Sequence, residues 1–253
     1  MPAHQIPEEL IRFVGKTGFI TKELWEDYFS NTPGERAARK QWATLTARRY
    51  FEPHSERRVR TVLVAHRSHR TVQDLTQGTD ALFPRAAYLA HDELLYRGVL
   101  NAIRDGVVSD WRSEPELKAM GRRGFRIENS NGAVKYPDAL LYLSGDLRTK
   151  PTAIECELTQ KSERRYSQIM SAYAGMKEIS QVVFITNGPA VPCAVKRAMN
   201  TNYYPSDQIP VFFVSADVWR KNASGYLKSL FRHRSGAEQC PREILNRENP
   251  VSI

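Results

Sequence analysis

Four short apolar runs between residues 137 and 216 constrain this chain most. They read PDALLYL, TAIECEL, QVVFIT and IPVFFVSA. Each is short for a helix, rich in β-branched or aromatic residues, and bounded by turn residues, so each is expected to be a strand. About eight residues, including the loop GDLRTKP, separate the first two runs, and that spacing predicts an antiparallel hairpin. Helical patterns follow. Residues 162–177 place Tyr166, Ile169, Met170 and Tyr173 on one stripe, 190–200 form a second helix, and the segment around VWRKNASGYLKSLF a third. Upstream, residues 85–105 gather Tyr88, Leu95, Tyr96, Val99, Ala102 and Ile103 on one side at about 100° per residue. The expectation is an α/β core with a mixed central sheet, with FRIEN as an additional short strand.

The second run raises a chemical question. Ile154, Cys156 and Leu158 point one way from a strand, so Glu155 and Glu157 share the other face, roughly 7 Å apart. Asp138, at the start of the partner strand, is placed to approach them. Carboxylates gathered in this way repel unless they hold cations, and hard oxygen ligands suit Mg²⁺ or Mn²⁺. Lys161 follows the strand and is placed to swing its ammonium over the cluster. On the upstream helix Asp92 falls within the apolar face and Glu93 on its flank. A carboxylate there is costly unless paired or ligating, and the pattern alone does not choose between the two.

The N-terminal region has a different character. Helices are expected over residues 7–15, after Thr21 as N-cap, and through RAARKQWATLTARRY, followed by the strands YFEP and VRTVLVA around the turn HSERR. Three helices and a basic hairpin are the order of a winged helix, in which the third helix enters the major groove. From Arg36 to Arg70 ten Lys or Arg residues face two Glu, so this window holds +8 of the chain's formal +9. That is the electrostatic footprint of a phosphate-backbone binder. Arg36, Arg39, Lys40, Arg48, Arg57, Arg58 and Arg60 are the expected DNA contacts, most of them to phosphates.

The domain expectation is therefore a winged helix over 1–70, a polar linker over 71–84, a catalytic core over 85–234 and a flexible tail over 235–253. With 41% hydrophobic residues in 253 the chain can bury a sizeable core. No run reaches the roughly 18 apolar residues of a membrane span, and no secretory signal is visible, so a cytoplasmic protein is expected. Three scattered cysteines suggest neither a disulfide framework nor a CxxC metal site.

Pro137–Asp138, Glu155-x-Glu157 and an upstream helix acid, set in the order helix, strand, hairpin, helix, strand, resemble the PD-(D/E)xK nuclease superfamily. The resemblance implies a restriction-endonuclease-like core in which Asp138, Glu155 and Glu93 or Asp92 bind metal. Glu157 stands where the superfamily carries lysine, which leaves two readings: a further ligand, with Lys161 as the relocated lysine, or a site that has lost its chemistry. With its basic N-terminal region, the chain over most of residues 8–215 also resembles the MobC class of plasmid mobilisation relaxases and the replication-relaxation proteins. That likeness implies Mg²⁺- or Mn²⁺-dependent nicking of one strand at a plasmid origin, a double-stranded and locally single-stranded DNA substrate, and other mobilisation proteins as partners. The alternatives are a non-catalytic DNA-binding accessory protein with the same fold, and a transposon-end or defence endonuclease. A covalent intermediate on Tyr136, Tyr166 or Tyr173 is a further alternative, although their spacing fits core packing better.

Overall fold

Residues 8–30, 34–47, 51–56, 60–65, 88–119, 127–128, 134–145, 150–174, 176, 178–201 and 209–234 are described by the structure, a computed structural model. The chain is an α+β protein with N-terminal helices and a five-strand mixed sheet interleaved with helices.

The N-terminal region comprises α1 (Glu8–Thr17), α2 (Lys22–Tyr28), α3 (Glu35–Ala47), β1 (Phe51–Glu56) and β2 (Arg60–Ala65). Thr21 caps α2 as its sequence predicts, its Oγ1 accepting from the Leu24 amide at 3.2 Å. β1 and β2 pair antiparallel, and Ile20 exchanges backbone hydrogen bonds of 2.8 and 3.0 Å with Leu63. The hairpin is thereby stitched to the turn between α1 and α2. The expected linker, 71–84, and the expected tail, 235–253, lie outside the described residues.

Next come α4 (Leu89–Arg104), β3 (Val108–Ser113) and α5 (Glu114–Ala119), then β4 (Ile127–Glu128), β5 (Val134–Lys135), β6 (Ala139–Leu143) and β7 (Thr152–Glu157). They are followed by α6 (Glu163–Ala174), β8 (Gln181–Thr186), α7 (Ala190–Thr201), β9 (Val211–Ser215) and α8 (Ala216–Arg234). The large sheet has the order β3-β6-β7-β8-β9. β3, β6 and β7 are antiparallel neighbours, whereas β7, β8 and β9 run parallel. The expected hairpin of the first two apolar runs is β6–β7.

The expected short strand in FRIEN is β4, which among the described residues pairs with β5. Two features differ from the sequence expectation. β3 falls in a stretch that reads as turn-rich, because Asp110 and Arg112 break its apolar pattern. Ile103 and Tyr88, expected on the buried side of α4, are 37% and 53% exposed, since the helix end and its entry turn extend past the packed layer.

The sheet separates two apolar layers. Ile154 and Cys156 of β7, with Ala139 and Leu141 of β6, face a core that also takes in α4, α8 and the N-terminal helices and hairpin. Ala153 and Leu140 face the other core, built from α6 and α7. α8 lies close on α4 because residue 98 is glycine: a Cβ there would stand 2.1 Å from Trp219 Nε1, which donates to Leu95 O at 3.2 Å. Among the described residues no helix is long and apolar enough to cross a membrane.

Candidate active site

β7 carries its acids at its carboxyl end, beside parallel strands, the place where open α/β sheets present ligand sites. Parity turns Glu155 and Glu157 toward the α6 side, and both are buried, at 0% and 3% exposure. A buried carboxylate requires partners. The Tyr173 hydroxyl, on α6, donates to Glu155 Oε1 at 2.5 Å. Lys161, in the turn before α6, places Nζ 2.5 Å from Glu157 Oε1. The lysine expected to reach the cluster does so, and its contact there is Glu157.

Asp138 joins them from the edge of β6. Its amide donates to Ile154 O at 3.1 Å, and its Oδ2 accepts the Cys156 amide at 2.7 Å. The aspartate is thus held on the backbone of β7, between the two glutamates in sequence register. Burial pushes the Tyr173 phenol well above its ordinary range, and the charges of Glu155, Asp138 and Glu157 push it further.

The first turn of α4 closes the arrangement through a residue the sequence pattern did not single out. His91 Nδ1 lies 2.7 Å from Asp92 Oδ1, and Nε2 lies 2.7 Å from the Cys156 carbonyl and 3.5 Å from Asp138 Oδ2. A carbonyl oxygen only accepts, so Nε2 carries a proton. Burial alone would lower the His91 pKa, but hydrogen bonds to Asp138, Asp92 and the Cys156 carbonyl outweigh it and hold the ring as imidazolium. Asp92 is shifted up, first by its own burial, against the pull of His91. A lone histidine on a helix gives no periodic signal. Its one clue was its place directly before Asp92, about 100° away around the helix.

Glu93 stands on the neighbouring flank of α4. Its carboxylate faces Arg97 at 3.5 Å on the same helix, and Arg97 in turn pairs with Asp27 of α2. Of the two candidate helix acids, Asp92 bonds His91 and Glu93 faces Arg97, one step further around α4.

The three tyrosines divide plainly. Tyr166 and Tyr173 are fully buried, and the Tyr166 hydroxyl accepts the Lys161 amide at 3.1 Å. Their hydroxyls hold the cluster in place, and Tyr136 is half-buried. Burial also raises the Cys156 thiol above its usual pKa, so it is an inert core group.

The donor set can be tested against a cation. Asp92, Asp138, Glu155 and Glu157 supply four carboxylates, while His91 and Lys161 supply the two cations bonded to them. Lys118 acts on Asp92 from further away and is itself paired with Glu114 at 2.8 Å. Carboxylate oxygens are of the donor type that Mg²⁺ or Mn²⁺ prefers. Among the described residues no group of three or more His, Cys, Asp or Glu is placed to hold a metal ion as the side chains stand.

Of the expected DNA contacts, Arg36, Arg39 and Lys40 stand exposed on α3. Arg60 opens β2, opposite Glu56. Arg48, Arg57 and Arg58 lie outside the described residues. Comparison with family models, with curated proteins and with solved structures finds no match for this chain.

Proposed function

We propose that the chain is a metal-dependent, sequence-specific DNA-nicking protein of the relaxase kind, acting at an origin of plasmid mobilisation or replication. The observation that carries this reading is that Asp138 and the His91–Asp92 pair are hydrogen-bonded to the Cys156 backbone between the buried Glu155 and Glu157, at the carboxyl end of β7, in a molecule whose α3 exposes Arg36, Arg39 and Lys40. A winged helix formed by α1–α3, β1 and β2 docks on duplex DNA through that basic face, and a restriction-endonuclease-like core around the large sheet cuts one strand.

Asp138, Glu155 and Asp92 are the residues that would hold Mg²⁺ or Mn²⁺, with Glu157 assisting. A bound cation of this class polarises a scissile phosphate and lowers the pKa of the attacking water. Tyr173 and the Cys156 amide orient Glu155 and Asp138. His91 ties the helix acid to the strand, so that α4 and β7 hold their oxygens in one place. Lys161, whose side chain is 42% exposed, offers its positive charge to the phosphate oxygens as negative charge builds there.

The direct test incubates supercoiled plasmid carrying the protein's own neighbouring origin with and without Mg²⁺ or Mn²⁺. Nicked circles that require the cation support the reading. Linear product alone favours a double-strand endonuclease, and a peptide left on the 5′ end would move the chemistry to a tyrosine. No product under any condition, with DNA still bound, favours a second reading, a non-catalytic DNA-binding accessory protein. One observation supports that second reading: Lys161 is ion-paired to Glu157, the residue standing at the superfamily's lysine position.

A further inference from the structure

The N-terminal helices and the sheet share one buried core, and its polar links cross the seam at several points. Phe13 of α1 packs its ring 5.9 Å from Tyr96 of α4 and 6.2 Å from Trp111 of β3. Phe19 lies 6.0 Å from the same tyrosine. Lys16 Nζ donates to Trp111 O at 2.9 Å, and the buried Ser113 hydroxyl donates back to Lys16 O. From α2, the Tyr28 hydroxyl donates to Arg97 O at 3.1 Å and to Asn101 Oδ1 at 2.9 Å, while Asp27 pairs with Arg97.

These contacts make a continuous path between the two charged regions. Trp42 of α3 packs on Trp25 of α2 at 5.4 Å, α2 is fastened to α4 at Arg97 and Asn101, and α4 carries His91 and Asp92 at its other end. Along that helix the anchors lie only about 9 and 15 Å from His91, at 1.5 Å per residue. Close-packed interiors transmit position and do not flex continuously.

We propose that this seam fixes the distance from the basic face of α3 to the carboxylate cluster, so that the strand break falls at one position relative to the bound sequence. Phe13, Lys16, Tyr28, Tyr96, Arg97 and Trp111 then determine cut-site specificity without touching DNA. The inference rests on the nicking reading for its consequence, but the fixed offset can be measured without any nuclease activity.

An iron–EDTA chelate is attached to the full chain carrying Lys161→Cys, with Cys193→Ser and Cys240→Ser removing the other reactive thiols. Hydroxyl-radical breaks are then mapped on DNA carrying the neighbouring origin. The expected pattern is one cluster about three or four nucleotides wide, at roughly 3.4 Å per nucleotide. In Tyr28→Phe/Arg97→Ala the cluster broadens at least twofold, while affinity for DNA stays within threefold. Breaks spread over more than a helical turn in the parent protein, or a seam variant with an equally narrow cluster, would overturn the fixed offset. A narrow cluster from the labelled protein, with an unmodified chain that never nicks under Mg²⁺ or Mn²⁺, would sink the nicking reading and leave the offset standing. Absence of any bound DNA removes both.

Discussion

The basic face of α3 and the acidic end of β7 handle charge in opposite ways. Arg36, Arg39 and Lys40 are exposed, and water solvates each charge. Glu155 and Glu157 are buried, and each is held by a named side chain. Solvated charges act through long-range, salt-screened attraction and are individually replaceable. Buried charges act through position, and each depends on its partners. The first arrangement suits finding a polyanion, and the second suits holding a cation at a defined point.

Replacing an acid at the buried end has the largest expected effect. Asp138→Asn keeps the shape but removes a charge from the cluster, and cation-dependent nicking should fall by about a hundredfold or more. DNA binding in a mobility-shift assay should be unchanged. A variant that nicks at the parent rate would break the contrast at its acidic end.

Tyr173→Phe tests the dependence on partners. It removes the phenolic donor from a carboxylate without solvent, which costs about 1–3 kcal/mol, read as a lower midpoint in urea. Mn²⁺ should recover part of this loss, because a cation is a better partner for Glu155 than the lost hydroxyl. An unchanged midpoint would show that Glu155 does not rely on its partner.

Lys161→Ala is milder, since the lysine is partly exposed and its ion pair correspondingly screened. A loss of about 1 kcal/mol corresponds to a melting temperature lower by roughly 2–4 °C. The pH dependence has a definite sign. Because His91 is raised above its unfolded value, its contribution is complete below about pH 6.5 and is lost as pH rises toward the folded value. Metal-free protein should therefore lose stability on the alkaline side of that point. His91→Gln should flatten the trend in a series of melts across pH.

At the solvated end, Arg39→Ala and Lys40→Ala should leave the unfolding free energy within about 0.5 kcal/mol of the parent. Each should reduce the slope of log affinity against log salt by about 1. If either variant unfolds the chain while DNA affinity is unchanged, α3 is not the solvated face described here.

The sequence made much of this legible where one physical signal dominated. β8 is buried on both sides, so QVVFIT reads as strand without ambiguity. Parity alone put Glu155 and Glu157 together and Cys156 behind them. Elsewhere two signals competed. β3 is an edge strand whose Asp110 and Arg112 face outward, and that polarity disguised its pairing with β6. Asp92 and Glu93 are adjacent acids on one helix, and only the packing of α4 between the sheet and α2 separates their contacts. His91 was the hardest to see, because its key contact is the backbone carbonyl of Cys156, and no side-chain pattern encodes a carbonyl.

The central claim is that the carboxylates at the end of β7 hold a divalent cation. Mn²⁺ titration of the metal-free protein, followed by electron paramagnetic resonance, tests it without DNA or turnover. The account predicts saturable binding that is lost in Asp138→Asn and in Glu155→Gln, and retained in Glu93→Gln. Equal binding by all four proteins, or none by the parent chain, would contradict it.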